Sequence, residues 1–252
     1  MTTRREFLKR SAAAGAMATV PYFTSTRRAF GNDSPNDRPV IGCIGLGGMG
    51  RGDMGGHRHF GDVVALCDVD TRQIAEAKKH NGGKGDEYTD YRQVLDRKDI
   101  DVISCVTTDH WHTKICIEAL EAGKHVFCQK PLTLTLEENQ LIRRACNKHK
   151  DKVFFVGTQQ RSDRNKFLRA VNMVQKGLLG DIKTITIGIN GGSVGGPFPK
   201  EAPPAELNWD RWLGQAPKVE YIRQRCHGNF RWWYEYSGGK FTDWGAHHID
   251  IA

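Results

Sequence analysis

The chain has 252 residues, 38% hydrophobic and 26% charged, the balance of an ordinary globular protein with room for one large domain or two modest ones. Its formal net charge is +8, but Arg4, Arg5, Lys9, Arg10, Arg27 and Arg28 stand against the single acid Glu6 in residues 1–31, leaving only +3 for the rest. So small a surplus gives no basis for a nucleic-acid surface, and no nucleic-acid partner is expected.

The first 31 residues read as a leader. Thr3-Arg4-Arg5-Glu6-Phe7-Leu8-Lys9 has the form of a twin-arginine export signal, and a mildly apolar Ala-rich stretch follows from Ser11 to Val20. That stretch is too short to span a membrane, and no later run reaches the ~18 apolar residues a spanning helix needs. The expectation is an exported protein, periplasmic or extracytoplasmic, with no membrane attachment once the signal at 1–31 is removed. The twin-arginine route carries folded proteins, which suits a protein that loads a cytoplasmic cofactor before export. Residues 32–38 (NDSPNDR) read as a linker.

From residue 39 apolar strands alternate with amphipathic helices. Val40–Ile44, Val63–Cys67, Asp101–Val106, His125–Cys128 and Val153–Val156 read as strands. Helices are expected over Trp111–Ala122, which stops at Gly123, and from Thr135, where Thr135 and Glu138 form a capping-box pattern. Such βα alternation predicts an α/β fold with a doubly wound parallel sheet over 39–158.

The first turn carries Gly45, Gly47 and Gly50 in G-x-G-x-x-G register, with Gly48 and Met49 between them, and the next strand ends in Asp68. This spacing is a dinucleotide fingerprint. The glycines make the tight turn, let backbone N–H groups reach a pyrophosphate, and let helix pack on strand. Asp68 is placed to accept hydrogen bonds from an adenosine ribose. Its charge opposes a 2′-phosphate, so NAD is favoured over NADP.

A later strand runs into Gln129-Lys130-Pro131. A lysine at the carboxyl end of a parallel strand, beside a nucleotide crevice, is placed for proton transfer; a surface lysine at a strand end competes evenly with that reading. Pro131 marks a sharp turn and a candidate cis bond. The seven cysteines (Cys43, Cys67, Cys105, Cys116, Cys128, Cys146 and Cys226) are odd in number and form no C-x-x-C. They read as small core residues, so neither a disulfide framework nor a metal site is expected.

After Gly157 the texture changes. Phe167, Ala170, Val171 and Val174 form a helical stripe that stops around Gly177–Gly180. Ile182–Ile189 alternates apolar and polar residues, the mark of a half-buried strand. A Gly/Pro-rich stretch and an aromatic segment, Trp209 to Tyr236, complete what reads as the start of an α+β domain over 159–252. The chain ends inside an apparent helix, so a truncated domain is expected. Asp243, His247 and Asp250 fall at i, i+4 and i+7, one helical face able to bind a sugar hydroxyl and move its proton. A helix cap at Asp243 with packed histidines is the competing reading. His247 and the adjacent His248 point about 100° apart on a helix and do not suit one metal ion.

Taken together, GCIGLGGMG, CDVD, CVTTDHWH, the QKP segment and GGKFTDWGAHHID resemble the Gfo/Idh/MocA oxidoreductase family over residues 38–252. WDRWLGQAP and the Trp-rich run resemble its exported, sugar-degrading subgroup. The resemblance implies a Rossmann domain followed by a largely antiparallel sheet domain, tightly held NAD(P), substrates among sugars, polyols and glycosides, and a homo-oligomer. Lys130 matches the lysine of the family's E-K-P motif, while Gln129 replaces its glutamate. Asp243 and His247 match the D-x-x-x-H pair, with His247 the acid/base candidate, and Thr107 and His112 fall in the loop on the nicotinamide side. Gln159 and Arg161 are candidate hydroxyl ligands, His248 a candidate substrate contact, and Trp233 a candidate sugar-stacking wall, with an aromatic core under a loop as the alternative for any one ring. Three functions stay open: net oxidation of a carbohydrate, NAD-dependent glycoside hydrolysis by transient oxidation, and non-catalytic sugar binding by a nucleotide-loaded protein.

Overall fold

The computed structural model of the chain describes residues 38–252; the leader, and the linker up to Asn36 and Asp37, lie outside the described residues. Six strands form one all-parallel sheet: β1 (Val40–Ile44), β2 (Asp62–Cys67), β3 (Asp86–Tyr88), β4 (Val102–Cys105), β5 (His125–Gln129) and β6 (Phe154–Gly157), in the order β3-β2-β1-β4-β5-β6. The chain runs outward from β1 to β3, then crosses back to β4 on the other side of β1. That reversal opens a crevice at the carboxyl ends of β1 and β4, where ligands bind in sheets of this kind.

The helices follow the expected signals. α1 (Gly48–His57) leaves the glycine turn without a side-chain cap. α2 (Thr71–His80) is capped by Asp70, whose side chain accepts from the Arg72 N–H. α4 (Asp109–Glu121) buries Ile115 and Ala119 and stops at Gly123, which adopts φ +77°. α5 (Leu136–Lys148) carries both halves of the Thr135/Glu138 capping box.

Two elements were not expected from the sequence. β3 is a three-residue edge strand, Asp-Glu-Tyr, paired in parallel with β2. α3 (Tyr91–Leu95), capped by Asp90, packs Val94 so tightly over β1 that a Cβ on Gly42 would lie 2.6 Å from Val94 Cγ1.

Residues 159–252 dock on the sheet domain through aromatic groups. The backbone carbonyl of Trp212, in α7 (Trp209–Leu213), accepts from Trp111 Nε1 at 2.9 Å and lies 3.1 Å from His110 Nε2. Leu207, Trp212, Leu213, Tyr221, Cys226 and Tyr236 form a separate buried cluster against this seam. α6 (Phe167–Gln175) forms where the stripe places it. Ile182–Ile189 departs from expectation. It makes no strand ladder, and Ile185 and Ile187 are exposed. A strand exists only with a partner, and none of the described residues pairs with this segment. The second region is therefore helix and loop among the described residues, touching the sheet domain's backbone at one antiparallel bridge, Asp70 to Leu207.

The Gly42 contact makes a stability prediction. Gly42→Ala overpacks the β1–α3 contact and lowers unfolding free energy by ~1–3 kcal/mol in urea melts. Adding Val94→Ala removes the clashing methyl, so the double variant is more stable than the sum of the two losses.

Candidate active site

A cleft of about 570 Å³ lies at the carboxyl ends of the strands, and nearly every constellation marked in the sequence meets there. Its floor is the β1–α1 turn. Gly45 adopts φ +85°, and a Cβ there would sit 2.4 Å from the Val106 carbonyl oxygen. A Cβ on Gly50 would sit 2.0 Å from the Gly45 carbonyl oxygen. At Gly47 and Gly48 a Cβ would meet nothing within 4 Å, so bare backbone faces the cleft. Met49 and Gly50 line the same wall. The uncapped N–H groups of α1 and its dipole suit an anion there, and this cradle fits the pyrophosphate of a dinucleotide.

Asp68 closes β2 beside this loop. Its Oδ2 accepts from Leu46 N at 2.7 Å and its Oδ1 from Asp70 N at 2.9 Å. Burial pushes its carboxyl up, and those two N–H bonds oppose the shift. Asp68 thus braces the glycine loop as well as facing the cleft. Burial would also raise Asp70, but hydrogen bonds and charge from Arg72 hold it below the usual carboxylate range. His227 reaches the same carboxylate from the second region at 3.2 Å.

The other end of the cleft holds Lys130, Asp243 and His247. Lys130 Nζ donates to Asp243 Oδ1 at 2.7 Å and to the Asp243 carbonyl at 3.0 Å, with each side chain 11% exposed. Arg231 approaches the other Asp243 oxygen at 3.5 Å. The Lys130–Pro131 bond is cis. Asp243 ends α8 (Gly239–Asp243), and His247 lies in α9 (Gly245–Ile251); both line the cleft. Burial, then the Lys130 charge, lowers the His247 pKa, leaving a neutral imidazole able to take a proton.

Two family models match the chain: an oxidoreductase family NAD-binding Rossmann fold over residues 40–158, and the same family's C-terminal alpha/beta domain over 169–252. The chain belongs to the Gfo/Idh/MocA oxidoreductase family. An α-N-acetylgalactosaminidase of Shewanella oneidensis is 30% identical over 204 residues, covering 71% of this chain and 44% of that protein. The chain therefore spans less than half the length of the curated relatives it matches. Among solved structures, an NAD-binding protein from Listeria innocua is 25% identical with a TM-score of 0.62, over 85% of this chain and 53% of that one. A scyllo-inositol dehydrogenase from Lactobacillus casei with bound NAD(H) and scyllo-inositol is 27% identical with a TM-score of 0.53, over 57% of this chain and 43% of that one.

Within this family frame, Thr107 and Gln129 line the cleft as expected, but several other candidates do not. His112 is buried behind the wall. Its Nδ1 lies 2.7 Å from the Pro131 carbonyl and its Nε2 3.2 Å from that of Thr107, so it ties α4 to the turns after β4 and β5. Gln159 donates to Gln129 Oε1 from behind. Arg161 pairs with Asp250 at 2.6 Å, outside the cleft, so the third member of the predicted helical face is used elsewhere. Trp233 packs under the Arg225 guanidinium, 4.0 Å from its ring centroid, and donates to the Gln224 carbonyl. It is a core ring. His248 stacks on Trp244 instead of facing the cleft.

Trp244, Arg231, His227 and Asp109 are among the cleft residues that the sequence did not mark. The first three sit in or beside motifs already marked, but nothing in the spacing says which ring or base faces inward. Asp109 was visible between Thr107 and His112 in CVTTDHWH. Burial pushes its carboxyl up to about 6, with His112 opposing. Cys105, His112 and Cys128 bring their ligand atoms within 4.8 Å of one another, a cluster the sequence did not suggest, though both His112 nitrogens already face carbonyl oxygens.

Asp109 makes a pH prediction. Its folded pKa lies above the unfolded value, so between pH 4 and 7 the unfolded state loses its proton first and the native state pays for burying the charge. Wild type should lose about 3 kcal/mol relative to Asp109→Asn over that range, read by denaturant melts at each pH.

Proposed function

We propose that this chain carries the nucleotide site and the proton-transfer site of an exported NAD-dependent enzyme that oxidises a hydroxyl of a sugar, polyol or glycoside. The observation that carries the reading is Lys130 paired with Asp243, beside His247, in the cleft floored by the uncapped glycine loop. Nicotinamide, when bound, supplies a hydride acceptor and donor. The chain's own residues supply the rest. Neutral His247 accepts the hydroxyl proton, and the Lys130 ammonium stabilises the charge left on that oxygen. Asp243 fixes the lysine. Trp244, 46% exposed on the cleft wall, offers a face for the C–H side of a sugar ring.

NAD is the form proposed. Asp68 presents a carboxylate where a 2′-phosphate would need a cation. Arg51, on the same wall, is committed to the Leu46 carbonyl at 2.7 Å and to Gln73 at 2.6 Å.

Redox-neutral glycoside cleavage is the second reading. It is favoured by relatives named as glycosyl hydrolase family 109 proteins, which align over 71% of this chain. Export rests on Arg4-Arg5 and the following Ala-rich stretch, and a homo-oligomer rests on the family resemblance.

The test begins with the nucleotide. Acid and alkaline extracts of the purified full-length protein should release stoichiometric NAD, identified by chromatography and mass. Aryl glycosides then separate the chemistries: NADH absorbance marks net oxidation, while leaving-group release without NADH marks the second reading. Lys130→Met should cut turnover by ~10²–10⁴-fold with nucleotide content unchanged. Unchanged turnover would remove Lys130 from the chemistry, and tight sugar binding without isotope exchange into nicotinamide would favour a binding protein.

A further inference from the structure

Gln129, at the strand end next to Lys130, offers an amide and no carboxylate. The structure holds one nearby, on a different element. Asp53, six residues into the glycine-loop helix α1, accepts from Gln129 Nε2 through its Oδ2 at 2.6 Å. The other end of the amide is committed as well. Gln129 Oε1 accepts from Lys130 N at 2.9 Å and from Gln159 Nε2 at 3.1 Å. Gln129 is only 4% exposed, so these partners fix it.

Only one amide orientation satisfies this arrangement. Turned over, the amide would present N–H groups to the Lys130 N–H and its oxygen to the Asp53 carboxylate. Asp53 and the Lys130 N–H together fix which end of Gln129 meets the lysine. The surroundings are shaped around that amide. Gly157, the β6 partner of Gln129 in the ladder, leaves it room, because a Cβ there would lie 3.3 and 3.4 Å from the two amide atoms and 2.8 Å from the Phe127 ring.

We propose that Asp53 is a positioning residue: it carries the negative charge of this corner on the nucleotide-loop helix and, through Gln129, fixes the backbone from which Lys130 reaches Asp243. The proposal rests on the reading of Lys130 as the group that stabilises charge on the reacting oxygen in the cleft. Asp53 and residue 129 then have room for one carboxylate between them: acid and amide can be exchanged, but two acids cannot stand together. A glutamate at 129 would set a carboxylate oxygen about 2.6 Å from Asp53 Oδ2, and two such groups cannot both ionise. The other titratable groups at this corner are the buried thiol of Cys43 on β1, His57 one turn further along α1, and Lys130 itself. His57 is occupied by Ser104 at 2.9 Å.

The test is a swap cycle in the full-length protein: Gln129→Glu, Asp53→Asn, and both together, each melted and assayed at pH 5 and pH 8. Gln129→Glu should melt ~5 °C below wild type at pH 8, with the gap closing towards pH 5 as the pair shares a proton. Its turnover should fall ~10-fold at pH 8 through kcat, with the KM for the sugar little changed. Asp53→Asn keeps an acceptor for Gln129 but loses the charge, so it should lower turnover ~3-fold through kcat at both pH values, less than Gln129→Glu does at pH 8. The double variant exchanges acid and amide and should return to within ~2 °C and ~2-fold of wild type at both pH values.

A Gln129→Glu variant that melts like wild type at pH 8, or a double variant no better than Gln129→Glu, overturns the pair. Restored melting with turnover still lost overturns the positioning role. Melting needs neither nucleotide nor substrate, so it judges the pair even if extraction yields no NAD and the reading of the cleft fails.

Discussion

The ion pair between Lys130 and Asp243 joins residues 113 positions apart and closes the cleft, and much of the architecture exists to make it tolerable. Two charges that are nearly nine-tenths buried lose most of their hydration, and mutual attraction alone seldom recovers that loss. Here each partner has further support. Lys130 donates a second bond to the Asp243 carbonyl, its backbone N–H is held by Gln129, and the next carbonyl along, that of Pro131, is held by His112. Arg231 faces the second carboxylate oxygen of Asp243. A pair supported in this way fixes geometry more than it adds stability. Removing either partner leaves the other charge buried and alone, so any variant at these positions needs its melting temperature measured alongside its turnover.

The same pair joins the two regions that line the cleft. The glycine loop, Asp68 and Lys130 belong to the sheet domain, while His227, Arg231, Asp243 and His247 come from the second region. The seam between them is aromatic: His110 lies against Trp212 and Tyr236, and burial lowers its pKa to about 4, which makes it a neutral packing residue. Gly214, where a Cβ would meet the Trp111 ring at 2.1 Å, lets the chain leave α7 pressed against that ring. Aromatic packing at this seam, with the His227–Asp70 and Arg211–Asp90 contacts beside it, holds the region that carries Asp243 against the sheet domain that carries Lys130.

Local chemistry was legible in the sequence. The glycine register, the Thr135/Glu138 capping box and the long apolar strands each depend on neighbours within a few residues, and each appears where expected. β3 was not legible, because three mostly exposed residues at a sheet edge carry no periodic signal. Ile182–Ile189 carried the signal but lacks the partner that makes a strand, and pairing is not written in a single segment. At the site, residue types were read correctly more often than their reach. Gln159, Arg161, Trp233 and His248 lie within a few residues of cleft walls, yet Gln129, Asp250, Arg225 and Trp244 claim them first. Those claims are tertiary, and spacing along the chain cannot rank them.

The helical face of Asp243, His247 and Asp250 shows the same limit in one motif. An unbroken helix would align all three, but the structure separates α8 from α9 at Trp244. Asp243 and His247 stay on the cleft, while Asp250 turns to Arg161. The break gives the two retained residues different electrostatic surroundings. Asp243 takes its charge partners from Lys130 and Arg231. His247 is held neutral by burial and by that same lysine. A carboxylate fixed by cations beside an imidazole kept free of charge is an acid–base division of labour.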